Sequence, residues 1–191
     1  LTLFSRILGL IREMTKASFL GTSNLADAFG IAFMIPNLFR RLFAENSISV
    51  AFIPTLKKYL ETSNLSNDSQ IHSIQKNNTQ EFLNATFTLI TFLTTCFVSL
   101  GIIFTPWIVK LFASPDATNT LSEMSILTRI MFPYLIVISI AAFFQGILNT
   151  HKIFSPSGFT PILFNVIVII ATYVLTPFCQ NPARAMSIGV L

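Results

Sequence analysis

Charge is scarce in this 191-residue chain: Asp, Glu, Lys and Arg together make up 10% of it, eight acids against twelve bases. A soluble globular domain carries about 25% charged residues, because its surface must be wetted. Much of this surface must therefore face something other than water. Cysteine is nearly absent. Cys96 and Cys179 lie far apart in apolar runs with no CxxC spacing, which excludes a disulfide framework and a thiolate metal centre and leaves them as small buried hydrophobes. His72 and His151 sit in polar connections with no partner at ligand spacing, so metal binding has no support. No G-x-x-x-x-G-K-[ST] string is present to cradle ATP, and no cofactor is implied. The bases are not interleaved with aromatics in any polar segment, so nucleic-acid binding is excluded.

What the chain has is long uncharged runs. No Asp, Glu, Lys or Arg occurs in residues 82–109, 130–150 or 153–183. A spanning helix needs about 20 mainly apolar residues, and each run suffices. The reading is an all-α, polytopic transmembrane helical bundle, since in lipid each backbone group must be bonded within its own helix. Expected helices cover about 2–20, 25–60, 81–113, 123–149 and 154–178, with the start of a sixth at 183–191. Pro36 and Pro54 are expected to kink or break the second, and residues 61–80 read as a polar loop or surface helix. The chain begins at Leu1 inside a helical pattern and stops inside a fresh apolar stretch, with no signal peptide. Both ends are expected to be internal to a longer protein. Lys57, Lys58, Lys76 and Lys152 narrowly favour a cytoplasmic start for the first helix.

The remaining charges gather in the first two helices: Arg6, Arg12, Glu13 and Lys16, then Asp27, Arg40, Arg41 and Glu45. An Arg or Lys at mid-membrane costs about 2.5–3.5 kcal/mol on insertion scales, so such charges face a wet cavity or a bundle interior. At about 100° per residue, Arg6 and Glu13 share one stripe of the first helix and Arg12 and Lys16 another. Asp27, Arg41 and Glu45 share a face of the second, with Arg41 and Glu45 spaced for an ion pair. Arg6, Arg12 and Asp27 are expected to line a polar cavity, while Lys57 and Lys58 snorkel to headgroups. The first two helices should line it and the third to fifth should be packed against lipid or protein. A cavity richer in Arg than acid suits an anion, because guanidinium grips phosphate bidentately and keeps its proton.

The motifs agree. Residues 5–13 read SRILGLIRE and residues 27–54 read DAFGIAFMIPNLFRRLFAENSISVAFIP. They resemble the SR-LG--RD and DAF--AF-IPN--RR-FAEG-----F-P stretches of MurJ/MviN lipid II flippases. Pro106-Trp107, FPYLIVISI (132–140), GILNT (146–150) and FTPILFN (159–165) resemble the same family in the same order. The resemblance implies a two-lobed multidrug/oligosaccharidyl-lipid/polysaccharide exporter (MOP/MATE-like) flippase fold in the bacterial inner membrane, this chain supplying most of the first lobe.

It implies lipid II, the undecaprenyl-diphosphate-linked peptidoglycan precursor, as partner, with membrane lipids around it and ion coupling through parts beyond this chain. It also implies roles: Arg6, Arg12 and Asp27 in the central cavity, and Glu13, Arg40, Arg41 and Glu45 at the gate. Three positions depart from the family pattern: Glu13 for Asp, Asn46 for Gly, and Gly30 where an aromatic is common. Rival readings are a related exporter of drugs or another polyprenyl-linked saccharide, a membrane enzyme on polyprenyl phosphates, and a non-transporting subunit. The enzyme would need clustered acids or an intramembrane His, and the eight acids are scattered.

Overall fold

The structure, a computed structural model, describes residues 2–42, 52–65, 69–113 and 120–191. Its elements run α1 (Thr2–Leu20), α2 (Asn24–Arg40), α3 (Ile53–Leu65), α4 (Ser69–Phe112), α5 (Leu121–Met131), α6 (Tyr134–Thr150), α7 (Ser155–Leu175), a 3₁₀ turn (Thr176–Phe178) and α8 (Pro182–Val190). Among the described residues there is no strand. Three stretches are long and apolar enough to cross a membrane: Ile74–Phe112, Leu121–Thr150 and Ser155–Phe178. The charge-bearing α1 and α2 are not among them.

Local chemistry explains the breaks. Gly21, at φ 58°, closes α1 with its N–H on the Ala17 carbonyl, a backbone conformation that glycine adopts without steric cost. α2 passes through Pro36 and gives way only after Arg40, to wider π-type winding at Arg41 and Leu42. Pro54 sits in the first turn of α3, where no intrahelical donor is lost. α4 begins at Ser69, well before residue 81, so the polar stretch from Ser69 continues the spanning helix rather than looping. The 123–149 span is interrupted at Pro133, which the sequence reading did not anticipate. There Leu135 and Ile136 bond back to the carbonyls of Phe132 and Pro133 at 3.0 Å each, so the break leaves few groups unbonded.

Packing relies on small residues and internally bonded hydroxyls. Ala28 and Ala32 on α2 are fully buried one turn apart, which brings that helix close to its neighbours. Phe132 is buried against α4, where Gly101 leaves space: a methyl group there would stand 2.5 Å from the ring. The buried hydroxyls of Thr105, Thr128, Thr172 and Ser187 each donate to the carbonyl four residues back, at 2.6–2.8 Å. Such bonds let a polar side chain sit in apolar surroundings at little cost. The main core runs from Phe29 and Ile35 through Met124, Met131 and Phe132 to Val168 and Met186. A smaller one joins Phe52 and Leu56 to Phe143.

α7 and α8 meet through Gly189, where a methyl group would lie 2.7 Å from the Ala171 methyl and 3.1 Å from Val168 Cα. Because backbone stands in the way, the helices must separate to admit a side chain. Gly189→Val is expected to destabilise the full-length protein by about 1–3 kcal/mol. Thermal unfolding in detergent measures this, and an unchanged transition would rule out the close approach.

Candidate arginine-lined anion pocket

α1 presents Ser5, Gly9, Arg12 and Lys16 on one stripe, spaced four, three and four residues apart. This stripe faces the bundle. Arg12 and Lys16 are partly buried, whereas Arg6 and Glu13, on the neighbouring stripe, are exposed. The Arg12 guanidinium lies against a pair of stacked aromatic rings, 5.8 Å from the Phe33 centroid on α2 and 5.6 Å from that of Phe164 on α7, the two centroids being 6.5 Å apart. Lys16 Nζ sits over Phe29 at 5.8 Å. Cation–π contacts strengthen as water is excluded, from about 0.5–1 kcal/mol at the surface to about 2 when desolvated. Arg12 Nη2 also donates to Glu13 Oε1 at 2.7 Å.

Arg12 opens onto a pocket of about 590 Å³ that it shares with Arg40 and Arg41 from the end of α2. Asn37, Tyr134 and Thr160 add polar atoms, and Phe33, Val137, Phe164 and Ile167 supply apolar wall. No carboxylate is among its described lining residues. Arg40 Nε is held by Asn37 Oδ1 at 3.3 Å, and Thr160 accepts from Gln145 Nε2 at 2.7 Å. Guanidinium forks set in an apolar wall make a site for an anion with several oxygens, since field lines focus where little water screens them. Among the described residues, no group of His, Cys, Asp and Glu is placed to hold a metal.

The grouping differs from the one read in the sequence. Arg12 was expected in the cavity and Arg40 and Arg41 at its mouth, yet all three line one pocket. Arg6 and Asp27 do not line it. Both are exposed, Asp27 in the first turn of α2, where a carboxylate complements the helix dipole. Glu45, expected to pair with Arg41, and Asn46 lie outside the described residues. At Gly30 a methyl group would find no atom within 4 Å. The first two helices supply the cations, while α6 and α7, from the spans expected to pack against lipid or protein, build much of the wall together with α8. Phe33, Tyr134, Thr160 and Phe164 were missed as site residues, although all four stand inside quoted motifs.

Comparison with known proteins decides the family. The family described as lipid II flippase MurJ matches residues 16–191. The chain belongs to the MurJ family. It is 52% identical over 191 residues to the probable lipid II flippase MurJ of Treponema pallidum, covering 100% of this chain and 34% of the relative. It is 35% identical over 192 residues to the lipid II flippase MurJ of Burkholderia cenocepacia, covering 100% of this chain and 35% of that protein. The Haemophilus influenzae relative, also a probable lipid II flippase MurJ, is 33% identical over 200 residues. The chain thus spans about a third of the length of the curated relatives it matches. As a MurJ family member it is an all-α, multi-pass protein of the bacterial inner membrane, in keeping with its apolar spans.

Proposed function

We propose that the full protein containing this chain is a lipid II flippase, moving the diphosphate-linked precursor from the cytoplasmic to the outer leaflet, and that this chain supplies anion-binding residues of its first lobe. The observation that carries the reading is the convergence of Arg12, Arg40 and Arg41 on one pocket with no described carboxylate in its lining. A diphosphate and sugars cannot cross hydrocarbon unaided, because an unpaired charge there costs many kcal/mol. Arginine forks replace the water lost by the phosphate oxygens, while the prenyl tail remains in lipid. The headgroup then passes through a cavity that opens alternately to each side. The task is transport without a chemical step, so its driving force is an ion gradient or the membrane potential acting through the whole protein. Arg6, Asp27, Glu13 and Glu45 belong to the same proposed path or its gate.

The test uses full-length protein in proteoliposomes, with translocation of lipid II read by a headgroup-modifying reagent confined to one side. Arg40→Ala/Arg41→Ala is expected to lower the rate at least tenfold, and inorganic diphosphate should compete with lipid II for binding to the wild type. A rate no greater than in protein-free vesicles would overturn the reading.

A further inference from the structure

Asn165 is 6% exposed in the middle of the apolar helix α7. A carboxamide buried there is costly unless it finds a partner. Its Nδ2 donates to the Ser5 carbonyl of α1 at 3.3 Å. That carbonyl belongs to the helical ladder, which occupies one lone pair and leaves the second for Asn165. Gly9, one turn further along α1, provides the space: a methyl group there would lie 3.7 Å from Asn165 Nδ2, and a larger side chain would take the amide's place. The residue before Asn165 is Phe164, whose ring lies against the Arg12 guanidinium.

These facts fall on one line. Ser5, Gly9 and Arg12 share the stripe of α1 that faces α7. Apolar helix surfaces in lipid offer little to fix register, because sliding exchanges one apolar contact for another. A single buried hydrogen bond does fix it. A slip of one turn moves α1 by about 5.4 Å, enough to carry Arg12 away from its two rings.

We propose that Asn165 is a positioning residue for Arg12: its bond to the Ser5 carbonyl, admitted by Gly9, sets the register of α1 against α7 and so holds the arginine against the Phe33 and Phe164 rings. This rests on the reading of Arg12 as a phosphate ligand.

The test uses the full-length protein with native cysteines replaced by serine and Arg12→Cys as reporter. Asn165→Leu keeps the volume and removes the donor, and Gly9→Val displaces the amide from the other side. Both are expected to change the reaction rate of the reporter thiol with 2-aminoethyl methanethiosulfonate at least fivefold, at unchanged membrane abundance, whereas Gly9→Ala leaves it within twofold. With Arg12 restored, Asn165→Leu and Gly9→Val should weaken binding of inorganic diphosphate about fivefold or more. An unchanged thiol rate in both variants overturns the positioning role. A changed thiol rate with diphosphate binding intact supports that role and overturns the assignment of Arg12 as phosphate ligand.

Discussion

Arg12→Ala in the full-length protein is expected to leave cells depleted of their own flippase unable to grow, while Lys58→Ala supports growth as the wild type does. Arg12 is partly buried, lies against the Phe33 and Phe164 rings, and opens onto the arginine pocket. Lys58 is exposed on α3 and lines no part of that pocket, so water can replace it. Arg12→Lys is the more incisive variant. It keeps the charge but loses both the planar fork and the stacking of a flat cation on aromatic rings. A charge-assisted hydrogen bond contributes about 1.5–3 kcal/mol, so losing one arm of a bidentate grip lowers transport by about tenfold or more. Complementation by Arg12→Ala equal to wild type, at equal abundance in the membrane, would remove Arg12 from the substrate path.

The second large effect is expected away from the pocket, where α5 and α8 begin. Arg184 grips Glu123 with both arms of its fork, Nη2 to Oε1 at 2.6 Å and Nε to Oε2 at 3.2 Å. Asn181 Nδ2 adds a bond to Oε2 at 3.2 Å, and Gln180 accepts from Arg184 Nη1. Asn181 also caps α8 by accepting from the Arg184 backbone N–H at 2.9 Å. An arginine in the first turn of a helix opposes the helix dipole, whereas Glu123, in the first turn of α5, is favoured by its own. The carboxylate thus serves both helix starts at once.

Arg184→Glu sets two carboxylates face to face and is expected to destabilise the full-length protein by about 1–3 kcal/mol. Adding Glu123→Arg should recover part of that loss. A double-mutant cycle read by thermal unfolding in detergent measures the coupling. Strictly additive effects would show that the two side chains do not interact.

Membrane character was legible in the sequence because it follows from a local count. Uncharged runs such as 130–150 are too long for any water-facing helix, whatever lies beside them. Family membership was legible because SRILGLIRE and IPNLFRRLFAE combine charge, proline and glycine at spacings that apolar composition alone does not generate. The division of α1 into two stripes could also be derived, since helical periodicity places Arg12 with Lys16 and Arg6 with Glu13. Which stripe faces the bundle could not be derived, because periodicity sets angles around an axis but not the direction of a neighbour.

The sequence by itself determined an all-helical membrane chain of the MurJ family with cations concentrated in its first two helices. Only the tertiary structure decided which of those cations share a pocket. Arg12 and the Arg40–Arg41 pair are separated in sequence by a turn and most of a helix, and α6, α7 and α8 bring their walls around both. Likewise Glu123 and Arg184 lie 61 residues apart, and Asn165 and Ser5 lie 160 apart. A contact of that separation depends on how several helices pack together, and no local pattern of residues encodes it.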